Sequence, residues 1–191
     1  MSVQEIQFLK LFKDVCKKMN SSLDIETVLN SIAENTVKIM SVKGCTIFLL
    51  DQLEKKLKIS ASNGLSEAYL NKGPVDSEKS ILETLSGKWV LVPDARTDHR
   101  IQYPAAAKKE GIVTILSVPM SVKEKIIGVL RIYTSEPREF IDIEKAFISG
   151  LSEIGSIGIE NARMYTILKA DHEKLINDVH QWFDYGRKDA G

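Results

Sequence analysis

The sequence predicts an α+β fold, in which one antiparallel sheet of five or six strands has N- and C-terminal helices packed on one face. Three observations carry this. Apolar residues recur at helical spacing near both ends of the chain. Between them, CTIFLLD (Cys45 to Asp51) and LKISAS (Leu57 to Ser62) are strand-like runs joined by a charged turn at Gln52 to Lys56. Farther on, TILSVPM (Thr114 to Met120) and IIGVLRIYT (Ile126 to Thr134) repeat the arrangement around Ser121 to Lys125. Connections this short join antiparallel neighbours, because parallel strands need a crossover of a dozen or more residues.

Taken in order, Ile6, Leu9, Val15, Cys16 and Met19 give an apolar stripe that predicts a helix from about Val3 to Met19. Asn20, Ser21 and Ser22 interrupt it. Asp24 stands where an N-cap belongs, ahead of a second amphipathic helix carrying Ile25, Val28, Leu29, Ile32, Ala33, Val37 and Met40. Gly44 ends that helix, and Cys45 to Asp51 reads as a strand buried on both faces. In the next strand Leu57, Ile59 and Ala61 alternate with Lys58, Ser60 and Ser62, which predicts one apolar and one polar face. After the Asn63-Gly64 turn, short helical pieces at Ser66 to Asn71 and Ser77 to Ser86 lead to a strand over Lys88 to Asp94. A loop from Pro93 to Pro104 and a helix AAAKKEG then precede the second hairpin.

The last helix, from about Asp142 through Asn177 and on toward Phe183, is longer than a small sheet can cover. Spacings of four and three place Phe147, Leu151, Ile154, Gly158, Asn161, Tyr165, Leu168, His172, Leu175, Val179 and Trp182 on one seam. A second face carries Ile148, Gly155, Ile159 and Ala162. The pattern predicts a parallel homodimer, a coiled coil with Phe147, Leu151, Ile154, Gly158, Tyr165 and Leu168 at the interface; an intramolecular bundle with the two N-terminal helices is the alternative. Gly150, Gly155 and Gly158 weaken an isolated helix and so imply close packing. Asn161 and His172 on the seam would set register. The organisation expected is an N-terminal helix over 1–21, a domain over 22–168, and a helical extension and tail over 169–191. The tail WFDYGRKDAG reads either as an aromatic docking anchor at Trp182 or as a frayed end.

Composition narrows the function. The 191 residues are 43% hydrophobic and 27% charged, which fits one soluble domain with helical extensions. With 26 basic and 26 acidic residues there is no global field to hold a nucleic-acid backbone or an anionic membrane. No apolar run approaches the roughly 20 residues of a membrane span. The first twenty residues interleave charges with apolar residues, unlike a signal peptide, so a cytoplasmic location is expected. Cys16 and Cys45 form no metal-ligand spacing and read as buried or half-buried thiols. His99, His172 and His180 do not make a metal site, and no Gly-rich phosphate loop, GxSxG or HExxH is present. Nothing nominates a nucleophile with its base, so the reading is not of an enzyme.

Binding chemistry concentrates in the Pro93 to Pro104 loop, which holds Asp94, Arg96, Asp98, His99, Arg100 and Tyr103. Arg96 or Arg100 would receive a carboxylate or phosphate, with Asp94 and Tyr103 orienting it. The structural alternative is that these aspartates close turns on their own backbone and pair with the arginines. Ser60 and Ser62 on the second strand and Arg131 are the other candidates. Arg131 lies in the apolar run GVLRIY, where it must reach solvent at a sheet edge or find a partner, since unpaired burial costs several kcal/mol.

The order of these elements carries a resemblance. VPDARTDHRIQYPAAAKKEGIVTILSVPM (Val92 to Met120), then KEKIIGVLRIYTSEPREF, then ISGLSEIGSIGIENARMY, resembles a GAF domain over roughly Ser22 to Leu168. The resemblance implies a small-molecule sensor with pocket loops on the sheet face away from the terminal helices, and ligand contacts among Ser62, Asp94, Arg96, Asp98, Arg100, Tyr103 and Arg131. Cyclic-nucleotide-binding members carry an Asn-Lys pair, a Phe and an Asp-Glu pair; here Tyr133-Thr134, Phe140 and Glu144-Lys145 stand at those places, so only the Phe is kept. Neither cysteine lies where tetrapyrrole attachment or a methionine-sulfoxide reductase of this fold would need it. The chain looks most like stand-alone bacterial and archaeal signalling members, and no kinase, cyclase or DNA-binding segment follows the domain. Two functions are expected of such a chain. One is a sensor that binds an unidentified metabolite, its cofactor unknown, and transmits through dimerised terminal helices to a signalling partner. The other is a ligand-free dimerisation or scaffold module acting through its last helix and tail.

Overall fold

The carboxylate of Asp24 accepts the backbone N–H groups of Glu26 (3.1 Å) and Thr27 (3.3 Å), so the cap read from the sequence forms and starts helix α2 at Ile25. The structure is a computed structural model that describes residues 3–21, 24–51, 54, 56–75 and 82–188, with side chains among them except at 3–4, 11, 18–21 and 179–188. Helix α1 (Val3–Ser21) precedes α2 (Ile25–Met40). Then follow β1 (Gly44–Leu50), β2 (Leu57–Asn63), α3 (Glu67–Leu70), α4 (Leu82–Leu85), β3 (Val90–Val92), α5 (Pro104–Glu110), β4 (Thr114–Val122), β5 (Lys125–Thr134) and α6 (Asp142–Lys188). The expected helical segment at Ser77 to Ser86 is thus seen only as α4, its first part lying outside the described residues.

The five strands form one antiparallel sheet in the order β2-β1-β5-β4-β3, so both hairpins are present and β5 is the central strand. The strand expected over Lys88 to Asp94 shrinks to three residues at the edge beside β4. In β2 the apolar alternation breaks. A register shift opposite Ile47 and Phe48 inserts an extra residue, so Ala61 packs on the helix side while Leu57 joins Phe48 on the other face. A bulge of this kind reverses the facing of every residue beyond it.

The helix-side core gathers Leu29, Ile32, Cys45, Ile47, Leu116, Met120, Leu130, Ile132, Ile148 and Leu151 from α2, α6 and the sheet. Gly155 lets α6 come close: a Cβ there would sit 2.9 Å from Met120 Cε and 3.2 Å from Ile32 Cδ1. Phe8 of α1 stacks on Phe147 at 4.2 Å between ring centroids. The start of α6 is tied to the end of α2 by Arg138, whose guanidinium donates to Met40 O (2.8 Å) and Glu144 Oε1 (2.6 Å). Ser152 Oγ then donates to Pro119 O at 2.7 Å.

The seam read on the last helix divides in two. Phe147 and Leu151 are buried in the chain's own core, and Ile154 packs against it, so this half belongs to the intramolecular bundle. Gly158 is half-buried, whereas Tyr165 and Leu168 are exposed, as is every residue from 163 to 178. The expected aromatic anchor at Trp182 rests on side chains outside the described residues. No helix among the described residues is long and apolar enough to cross a membrane.

Candidate functional site

The sheet face opposite the helices carries a polar row that crosses four strands. Register places Ser62 beside Thr46, Thr46 beside Arg131, and Arg131 beside Ser117. Side chains at directly opposed positions share a face. Each of Thr46, Ser117 and Arg131 interrupts a run of apolar residues within its strand. Thr46 Oγ1 and Ser62 Oγ are 3.1 Å apart.

Apolar clusters flank this row on both sides. Phe48, Leu57, Val75 and Val129 pack together on one side. On the other, Tyr133, Ile115, Val90, Val92, Ile101, Ile112 and Tyr69 do so. A few convergent polar groups framed by apolar walls is the usual make-up of a small-molecule site.

Arg131 is the centre of the row, and it is 4% exposed. The sequence allowed it an exposed edge or a partner; it has neither the edge, since β5 is central, nor a carboxylate. Its Nε donates to Ser117 Oγ at 3.0 Å. Among the described residues it takes part in no ion pair. Among the described residues the guanidinium is thus met by neutral hydroxyls, those of Ser117 and Tyr133, and its charge has no counter-ion, which suits it to a carboxylate or phosphate.

Two tyrosines and a lysine complete the surroundings. Tyr69 meets Tyr133 edge to face at 5.9 Å. Burial pushes both phenols up, and Arg131 pulls both back. Lys72 Nζ lies 3.9 Å from the centroid of the Tyr69 ring and donates to Tyr69 O at 3.1 Å. Burial, and after it the Arg131 charge, bring the Lys72 ammonium down to about 8. Thr46, Ser117, Tyr69, Tyr133 and Lys72 were not singled out as site residues in the sequence. A lone polar residue inside each apolar strand was the signal for the first two; the approach of Tyr69 and Lys72 depends on how the segment after β2 folds back.

In the Pro93 to Pro104 loop the aspartates close turns on their own backbone and pair with the arginines, the structural alternative read from the sequence. Asp94 Oδ1 accepts the Arg96 backbone N–H at 3.0 Å, and the carboxylate takes Nε and Nη2 at 2.7 and 2.8 Å. Asp98 and Arg100 repeat this two-residue spacing, with Nε and Nη2 bonds of 3.0 and 2.7 Å. Arg100 Nη2 also donates to Leu91 O at 3.2 Å, on the edge strand. Tyr103 Oη donates to Pro74 O at 2.9 Å. Hydrogen bonds from Arg96 hold the Asp94 carboxyl down at about 2, and those from Arg100 lower Asp98. The loop's charges are thus used on one another, and of the candidates named from the sequence only Ser62 and Arg131 stand in the polar row.

Cys45 faces the opposite core, where burial pushes its thiol up to about 12. No group of three or more metal-ligating side chains occurs among the described residues. Between α1 and α6 an apolar groove of about 500 Å³ is lined by Phe8, Leu9, Phe12, Ile143 and Phe147, on the helix side of the molecule.

Comparison with known proteins matches the chain to a family. The family described as GAF domain matches residues 22–160. No curated protein sequence matches the chain. Among solved structures, the GAF domain of a phosphoenolpyruvate-protein phosphotransferase from Coxiella burnetii superposes with a TM-score of 0.75 at 18% identity, covering 85% of this chain and 98% of that one. The corresponding domain from Acinetobacter gives 0.71 at 22% identity, covering 86% and 97%. Free methionine-R-sulfoxide reductase from Neisseria meningitidis, solved in complex with its substrate, gives 0.71 at 14% identity, covering 86% and 95%. Likeness at these identities is likeness of fold.

Proposed function

The chain belongs to the GAF domain family, a family of signalling and sensing modules, and from that premise we propose that it binds a small anionic metabolite on the Arg131 face and transmits through a paired α6. One observation carries the reading: a buried guanidinium at the centre of the sheet, among apolar walls, with no carboxylate partner among the described residues. A buried cation without a counter-ion is a standing loss of several kcal/mol, which a bound anion would recover.

The route to output runs through the sheet. Arg131 alternates along β5 with Leu130 and Ile132, which pack in the helix-side core with Ile148 and Leu151 of α6. A ligand that pairs with Arg131 would bias how β5 seats against that helix. Beyond the core, α6 presents Met164, Tyr165, Leu168 and Leu175 to solvent, and a second copy would cover them. We assign dimer pairing to this exposed half and output to a signalling partner to the extension over 169–191. Such coupling requires that the ligand favour one of two seatings of α6 over the other. The exposed stripe alone would also suit a ligand-free scaffold, which has no use for Arg131.

Thermal unfolding of the protein and of Arg131→Gln across a panel of small carboxylates and phosphates tests the proposal. At least one anion should raise the midpoint of the native protein and leave the variant unmoved. Equal responses in both proteins would overturn it.

A further inference from the structure

Resting on that reading of the Arg131 face, the structure also bears on how much charge the ligand carries. Arg131 and Lys72 approach one another through two touching rings, Tyr69 and Tyr133, and the Arg131 charge is felt at Lys72. The carboxylate that acts on Lys72 is Glu110. Glu110 is already committed: it accepts the backbone N–H of Ser66 at 2.9 Å and the Ser66 hydroxyl, and Lys43 Nζ stands 4.0 Å away. Lys43 and Lys72 thus share Glu110, and Arg131 has no carboxylate partner among the described residues, so three cations stand against one carboxylate in this part of the fold.

We propose that the ligand of this face is a dianion, a phosphate monoester or a dicarboxylate, whose one end is held by the Arg131 guanidinium and whose second charge is met by Lys72. Arg131 supplies the planar pair of donors that fixes orientation, and Lys72 supplies a point charge on a flexible stem that adapts to the ligand's length. Ser62 and Thr46 add hydroxyls on the far side of the row. A monoanion would satisfy Arg131 and leave Lys72 facing Arg131 unrelieved.

Matched pairs differing by one charge test this by calorimetric titration at pH 7, below the Lys72 value so that its ammonium is charged: methyl phosphate against dimethyl phosphate, and succinate against its monomethyl ester. The dianion of at least one pair should bind about tenfold more tightly than its partner. Lys72→Met should bring that ratio near one while leaving the monoanion's affinity in place, and Lys72→Arg should restore it. Arg131→Gln should weaken both members. A ratio near one in the native protein, or a ratio that survives Lys72→Met, overturns the dianion while leaving the anion site standing if Arg131→Gln still abolishes binding. Binding that is indifferent to Arg131→Gln, or no binding of any of the four probes, overturns the dianion proposal as well; indifference to Arg131→Gln in addition removes the site beneath it.

Discussion

Replacing Arg131 by methionine should make the ligand-free protein more stable, a direction opposite to that of most core substitutions. Arg131 is 4% exposed and has no carboxylate partner among the described residues. Exchanging buried charge for an apolar side chain of similar length is commonly neutral or stabilising by about 1–4 kcal/mol. Against this, the Nε bond of 3.0 Å to Ser117 Oγ is lost and the hydroxyl left to find water or its own backbone, which costs about 1 kcal/mol. The net expectation is a gain of about 1–2 kcal/mol. For a chain of 191 residues each kcal/mol moves the midpoint by roughly 2–4 °C, so the rise should be about 2–8 °C. Arg131→Met combined with Ser117→Ala should gain further, because the orphaned hydroxyl goes too. Differential scanning calorimetry of both variants without added anions is the assay. A fall in midpoint for both would mean that Arg131 is a structural strut satisfied by its neighbours, and the argument for a site that trades stability for binding would fail.

Three further outcomes follow from the geometry. The β4–β5 turn holds two non-glycine residues in left-handed backbone, Lys123 (φ 47°) and Glu124 (φ 65°), so the double change Lys123→Asn, Glu124→Gly should stabilise by about 1–2 kcal/mol in urea unfolding. Gly128→Ala should cost at least about 2–3 kcal/mol, because the new Cβ would lie 2.3 Å from the Phe48 carbonyl oxygen on the adjoining strand and only a shift of backbone relieves it; unfolding midpoints check this. In acid, the Asp94 carboxyl should titrate near 2 by NMR and rise in Arg96→Gln toward the ordinary value without reaching it, because the residue-96 backbone N–H still donates to it. Since the folded value lies below the ordinary one, the stability this pair contributes is present above about pH 4 and is lost as the pH falls through about 2.

Much of the fold was legible because the local signals agreed. Asp24 with its following apolar periodicity gave α2, and the two short connections gave both hairpins. What local pattern does not encode is which strand lies in the middle. The run GVLRIY reads equally as an edge with a solvated arginine or as a central strand with a buried one, and only the order β2-β1-β5-β4-β3 decides. The bulge beside Phe48 escaped for a similar reason, since LKISAS alternates cleanly and nothing in it marks the point where its facing reverses. Phe147 and Leu151 fit a coiled-coil seam and an intramolecular core alike. Phe8, from the other end of the chain, settles the matter for Phe147 by stacking on it. In the candidate site, the two Asp-x-Arg pairs follow from a two-residue spacing visible in the sequence, whereas the row of Ser62, Thr46, Arg131 and Ser117 is assembled by register between four strands and has no linear trace.

The most direct test of the account is native mass spectrometry of gently purified protein beside the same sample denatured, repeated with Arg131→Gln. The account predicts two chains carrying a small adduct that leaves on denaturation, and two chains without it in the variant. A bare monomer, or an adduct retained by Arg131→Gln, would contradict it.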